Sequence, residues 1–227
     1  MSKIIIDDGF NPEFVETAIF DGILEIPCIE HPGKIVVPDG MIPFSQRNRS
    51  STYSEFVVFY ENDSSFGEIL QDPASIEADL SRFPGMVTLD NSVYWDSPLT
   101  VQICNIYRSR AIGHYYQNRG HYIIPNVRWG DERTYTTTVL PEKVAFLGLP
   151  RNSILSIGTY GCCKTVEEIY HLRNGLVAML DELSPEIVLV YGAMPDTIFR
   201  DLQCRTHFIN YPDWISVMKG GNQIGNK

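Results

Sequence analysis

A chain of 227 residues is long enough for one large domain or two small ones, and it can bury a core without disulfide or metal staples. With 44% hydrophobic and 20% charged residues it is not a disordered chain, and no apolar run approaches the roughly 20 residues of a membrane-spanning helix. A net charge of −10 disfavours non-specific nucleic-acid binding, which draws its strength from phosphate neutralisation.

The start, Met1 to Asp8, is apolar for three residues and then acidic, unlike a signal or transit peptide, so a cytoplasmic protein with no membrane partner is expected. The five cysteines (Cys28, Cys104, Cys162, Cys163, Cys204) are irregularly spaced, with no CxxC pair; they read as small buried hydrophobes rather than a disulfide framework or zinc site. Residues 1–49 form an irregular N-terminal portion, with short strands expected at Ile23–Ile26 and Lys34–Val37 between Pro and Gly. Met41–Phe44 leads into a polar loop from Ser45 to Ser54.

A regular alternation follows. Glu55–Tyr60 is a near-continuous apolar run, as in a strand covered on both faces. Helical spacing runs from Phe66 to Phe83 with a break at Asp72-Pro73, and Ser65 and Glu68 have capping-box spacing. Further strands are expected at Gly85–Leu89, His121–Pro125, Ser153–Gly158, Glu186–Gly192 and Thr206–Ile209. Between them lie helices from Pro98 to Asn118, from Val166 to Leu183 with Thr165 and Glu168 as a second capping box, and from Thr197 to Leu202. From Lys219 to Lys227 the tail reads as loose. The whole is expected to be a single α/β domain, residues 1–227, with a mainly parallel sheet. A barrel-like (β/α) arrangement is favoured, because polar, aromatic-rich segments follow four successive strands; an open doubly wound sheet is the alternative.

In either architecture ligands meet the carboxyl ends of the strands. That rule selects Asp90, Asn91 and Ser92 after one strand, and Asn126, Arg128, Trp129 and Asp131 after the next. It also selects Tyr160 and Gly161 at the end of the Ser153–Gly158 strand, and Tyr191 and Gly192 at the end of the Glu186–Gly192 strand. Asp90 is the first candidate for a catalytic acid, since burial at a strand end raises a carboxyl pKa; Asp131 or Glu132 would be a second carboxylate for acid–base work. Turn hydrogen bonds to backbone amides are the alternative for both. Arg128 offers a fork to phosphate or carboxylate and Trp129 a stacking face, unless the pair is simply core and surface structure. Gly161 precedes a helix start whose amides suit an anion. Arg108, Arg110, His114 and Arg119 on one helix are a candidate basic patch, and Arg47 and Arg49 in a loop another; a solvated helix face and a polar loop are the favoured reading. No GxGxxG, P-loop, GxSxG or HExxH sequence is present, so no cofactor or metal is indicated.

Asp90-Asn91-Ser92, the Gln102–Arg110 helix, Ile124-Pro125-Asn126-Val127-Arg128-Trp129-Gly130, Thr159-Tyr160-Gly161-Cys162 and Val190-Tyr191-Gly192 together resemble an uncharacterised family of phages, prophages and bacteria, domain of unknown function 4417. The resemblance covers about Val36 to Tyr211, with Pro125–Gly130 its most specific block. It implies a mobile-element context and a shared site in the same four loops, but no reaction. A looser similarity, to barrel enzymes that exchange bases in nucleic acid, is one of fold alone. The expected function is an enzyme acting on a nucleotide or nucleic-acid component through carboxylates at strand ends. The alternative is a non-catalytic binding protein that sequesters a nucleotide or inhibits a host protein. The expected partner is a small molecule or nucleotide; nucleic-acid binding through Arg108, Arg110 and Arg119 is a third reading, disfavoured by the net charge. Alanine at Asp90 is expected to abolish turnover with little change in melting temperature.

Overall fold

The computed structural model describes residues 11–224; Met1 to Asp8 and the last three residues of the tail lie outside the described residues. A short antiparallel pair, β1 (Phe20–Asp21) and β2 (Ile26–Pro27), opens the chain. The strands expected at Ile23–Ile26 and Lys34–Val37 do not form as drawn. Ile23 and Leu24 sit in the turn between β1 and β2, where Gly22 has φ +69. Lys34–Val37 is irregular because a side chain, not a neighbouring strand, satisfies its backbone: Tyr122 Oη donates to Lys34 O (3.0 Å) and accepts from Val36 N (2.8 Å).

Seven parallel strands follow: β3 (Met41–Pro43), β4 (Phe56–Val58), β5 (Met86–Val87), β6 (Ile123–Ile124), β7 (Ile154–Gly158), β8 (Ile187–Tyr191) and β9 (His207–Tyr211). β3-β4-β5-β6 form one sheet and β7-β8-β9 another, each in chain order. A parallel bridge between Asn126 and Ser156 continues the first into the second, with Val127 N donating to Ser156 O (2.8 Å) and Ser156 N to Pro125 O (2.9 Å). The helices are α1 (Gly67–Gln71), α2 (Ala74–Leu80), α3 (Leu99–Asn118), α4 (Glu132–Tyr135), α5 (Val166–Leu183), α6 (Asp196–Phe199) and α7 (Trp214–Ile224). The tail expected to be loose from Lys219 is therefore helical as far as Ile224.

Alternation along each strand explains why these segments read as continuous apolar runs. Val57 and Phe59 pack outward on α1, α2 and α3, while Leu155, Ile157, Val188 and Val190 pack outward on α5 and α6. Phe56, Val58, Tyr60, Val87, Ile124, Ile154, Leu189 and Tyr191 point the other way and form one inner cluster. The Tyr60 and Tyr191 rings stack at 5.0 Å, although three strands separate β4 from β8. In a flat sheet that separation is roughly 19 Å. The sheet is thus strongly curled, and Tyr211 Oη on β9 reaches Pro38 O ahead of β3 (2.5 Å). The α/β class and parallel sheet are as expected, and the strand order shows none of the reversal a doubly wound sheet needs. Among the described residues no ladder joins β3 to β9, so backbone pairing does not close the curl into a barrel.

The second capping box is present: Thr165 Oγ1 accepts from Glu168 N (3.1 Å) and Glu168 Oε2 from Thr165 N (3.0 Å). Thr165→Ala is expected to lower stability by about 1 kcal/mol in urea denaturation. The box expected at Ser65 and Glu68 does not form, because Ser65 belongs to a separate 3-10 turn capped by Asn62 and α1 starts after Phe66.

Candidate functional site

The carboxyl ends of β4 to β7 open into a cavity of about 760 Å³. Tyr60 and Asp63 follow β4, Asp90, Ser92, Tyr94 and Trp95 follow β5, and Arg128 and Trp129 follow β6. Gly158, Tyr160 and Cys162 follow β7, and His171 comes from α5. Among the sequence-selected residues, Asp90, Ser92, Arg128, Trp129, Tyr160 and Gly161 reach this cavity, whereas Asn91, Asn126, Asp131, Tyr191 and Gly192 do not line it.

Its floor is a polar network. Asp90, 6% exposed, accepts at Oδ1 from Arg128 Nε (2.7 Å) and Asn126 Nδ2 (2.8 Å), and at Oδ2 from Arg128 Nη2. Three N–H donors thus face the two oxygens, the geometry of an acceptor-only carboxylate. The burial expected of Asp90 is present, together with a charge partner in Arg128. Burial alone pulls the Arg128 pKa down, but the adjacent Asp90 charge outweighs it and holds the guanidinium above its ordinary value. Arg128 Nη1 also donates to Gly158 O (3.1 Å) and lies 3.1 Å from Cys162 Sγ. Tyr60 Oη bonds Ser156 Oγ (2.6 Å) and Asn126 Oδ1 (3.2 Å); burial first, then the Asp90 charge, keeps it a neutral phenol. Gly158 is required by close approach, since a Cβ there would overlap the Tyr60 ring.

Asn126 lies just beneath the floor, held by Asp90 and by its own N–H to Thr88 Oγ1 (2.9 Å). Arg110 fixes the same residue from behind, donating to Asn126 O (2.9 Å), Ala145 O (3.0 Å) and Leu147 O (3.2 Å). Arg110 is 1% exposed and His114 is buried against Glu16 O, so the basic helix patch does not exist. Burial lowers the Arg110 pKa to about 9.

Several selected residues have other duties. Asp131 caps α4, accepting from Arg133 N (2.9 Å), and binds the Arg133 side chain through both oxygens. Burial pushes its pKa up, but the Arg133 and Gln102 hydrogen bonds outweigh this and hold it below the usual carboxylate range. A carboxyl whose folded value is depressed stabilises above its unfolded value, and the contribution is lost as pH falls through the folded one. The melting-temperature advantage of the wild type over Asp131→Asn is therefore expected to shrink on acidification below the ordinary carboxylate range. Trp129 is mostly buried in the cavity wall: its Nε1 donates to His171 O (3.0 Å) and its ring fills the space beside Gly175 on α5, where a Cβ would overlap it. At the α5 start the capping box engages the amides of Lys164 (2.7 Å), Thr165 and Glu168. Gly161 instead serves a turn at φ +80.

Tyr191 is buried under Tyr60 and accepts from Trp214 N (3.0 Å), with its pKa pushed up to about 12 by burial. Gly192 pairs with Tyr211 O (2.8 Å), and Asn91 is buried. Ser92 donates through N and Oγ to Asp63 (3.1 and 2.7 Å). The rim aromatics are Tyr94, Trp95 (39% exposed) and Tyr160 (58% exposed). Tyr60, Asp63, Trp95, Cys162 and His171 are cavity residues that sequence reasoning did not select. Tyr60 stands at a strand end too, that of β4, where the same rule points to a ligand.

Among the described residues no group of three or more His, Cys, Asp or Glu is placed to hold a metal ion, and no helix is long and apolar enough to cross a membrane. Fold and site together define a parallel α/β protein with a ligand-sized cavity at its strand ends, floored by an Arg–carboxylate pair. The chain belongs to the family described as Domain of unknown function (DUF4417), whose model matches residues 18–212, farther toward the N-terminus than the motifs alone indicated. It is similar to the "Gene 1 protein" of Mycobacterium phage L5, 26% identical over 136 residues, covering 60% of this chain and 56% of that protein. The "Gene 1 protein" of Mycobacterium phage D29 is likewise 26% identical over 136 residues, covering 60% and 48%. The matched region is thus about half the length of these phage relatives. No solved structure matches the chain.

Proposed function

We propose that the strand-end cavity binds a nucleotide or a nucleic-acid component and that Asp90 is its reactive carboxylate. The observation that carries this reading is the Asp90–Arg128 pair at the floor of the cavity: a rigid, charge-paired acceptor, reachable by a ligand and surrounded by planar side chains. The volume suits a small molecule, for which sites span about 300–1,000 Å³. Tyr94, Trp95 and Tyr160 present faces on which a base can stack. With three donors already facing its oxygens, Asp90 serves as nucleophile or as anchor for ligand N–H groups.

The test is calorimetric binding of the common nucleosides and their monophosphates, followed by mass spectrometry of the recovered ligand. Binding with chemical change in the wild type, and binding without change in Asp90→Asn, is the expected pair of results. Absence of binding throughout the panel overturns the reading. Trp95→Ala is expected to weaken binding by about 1–3 kcal/mol while shifting stability by no more than about 0.5 kcal/mol, read by calorimetry and thermal melting. The non-catalytic alternative draws on one observation, that Asp131 is withdrawn into a helix cap and leaves Asp90 without the second carboxylate first expected. Quantitative recovery of intact ligand from the wild type selects it.

A further inference from the structure

We infer that His171 is the proton-carrying group of this cavity, oriented by Tyr135 and Glu132 so that its Nε2 faces the ligand. The inference rests on the reading of the cavity as a nucleotide site and adds the group that reading lacks. His171 lies near the start of α5 and lines the cavity. Its Nδ1 is 3.2 Å from Tyr135 Oη and 3.5 Å from Glu132 Oε2, both on α4. One ring face lies against Trp95 (5.7 Å, 23°) and an edge against Tyr170 (5.2 Å, 80°). Nε2 has no hydrogen-bond partner among the described residues and is not sealed from solvent.

These contacts assign the two nitrogens different work. The Glu132 carboxylate beside Nδ1 favours the proton there, with the Tyr135 hydroxyl able to accept from the same N–H, which leaves the Nε2 lone pair free as a base. Nε2 then takes a proton from an N–H or O–H of the ligand, the bonding pair stays on the ligand atom, and the imidazolium returns the proton to the atom that next gains negative charge. The transient cation is held between Glu132 and the face of Trp95. The carboxylates of the cavity are already engaged. Asp90 receives three donors, Asp63 is bonded to Ser92, Glu61 accepts from Ser45 N (3.0 Å), and Glu168 closes the capping box.

Nitrogen-15 NMR of the histidine-labelled full chain tests this, with His171→Gln identifying the resonances. In the neutral ring the proton is expected on Nδ1, with Nε2 bare, and Glu132→Gln combined with Tyr135→Phe is expected to weaken that preference. Guanosine monophosphate added at saturation is expected to shift the Nε2 resonance. In turnover of whichever nucleotide is processed, His171→Gln is expected to retain binding and lose about 100-fold or more in rate. A neutral ring protonated on Nε2 overturns the inference, as does equal loss of binding and rate in His171→Gln. If no nucleoside monophosphate binds, the nucleotide reading falls by itself, and the tautomer still decides the role of His171.

Discussion

Asp90→Ala is expected to abolish activity and also to destabilise the protein by about 2–4 kcal/mol in urea denaturation. Removing one partner of a fully buried ion pair costs about 3–5 kcal/mol, because the other charge is left uncompensated. The estimate is lower here because Arg128 keeps its bond to Gly158 O and faces a cavity that water can enter. The substitution also strands Asn126 Nδ2. This replaces the expectation drawn from sequence, in which alanine left the melting temperature nearly unchanged. Asp90→Asn is the cleaner probe of function: it preserves volume and one acceptor oxygen while removing the charge. In a double-mutant cycle, Asp90→Ala with Arg128→Ala is expected to cost less than the sum of the single changes, since the pair is removed together.

Arg110→Ala is expected to destabilise by on the order of 3 kcal/mol and to loosen the site. Arg110 is buried without a carboxylate partner among the described residues, so its charge is costly to bury, and its pKa is drawn down to about 9 for that reason. Against this stand three hydrogen bonds to carbonyls of Asn126, Ala145 and Leu147, each of the charged type and contributing about 1.5–3 kcal/mol. Truncation removes the charge cost but leaves three buried carbonyls unpaired and a cavity behind. Asn126 O is one of the three, so the expected companion effect is weaker ligand binding, measurable by calorimetry beside the denaturation curve. Retained stability and unchanged binding would make Arg110 dispensable to the site.

Much of the fold was legible because long, strongly periodic segments leave little choice. β4, β7 and β8 read as buried strands, and α3 and α5 appeared within a residue or two of their ends. The N-terminal portion was not legible, because Tyr122, just ahead of β6, decides the path of Lys34–Val37 from far along the chain. α7 was hidden behind Gly and Asn residues that read as a tail.

The site divided along the same line. Asp90, Arg128 and Tyr160 were found because strand ends point to ligands in parallel α/β sheets. Asp131 shares that address, but it begins a helix two residues before Arg133, and capping satisfies it locally. Trp129 looked available for stacking because nothing nearby in sequence shows that Gly175 makes room for it. His171 read as a polar helix face; its partners Trp95, Tyr135 and Glu132 come from two other segments and are visible only in three dimensions.

The central claim is that ligand meets this chain at the rim built by β4 to β7, over Asp90 and Arg128. Hydrogen–deuterium exchange with and without a saturating nucleoside monophosphate reads that claim directly. Slowed exchange confined to residues 60–63, 90–95, 126–130 and 158–172, and kept in Asp90→Asn, is the result the account requires. Slowed exchange elsewhere on the molecule, or none at all, would contradict it.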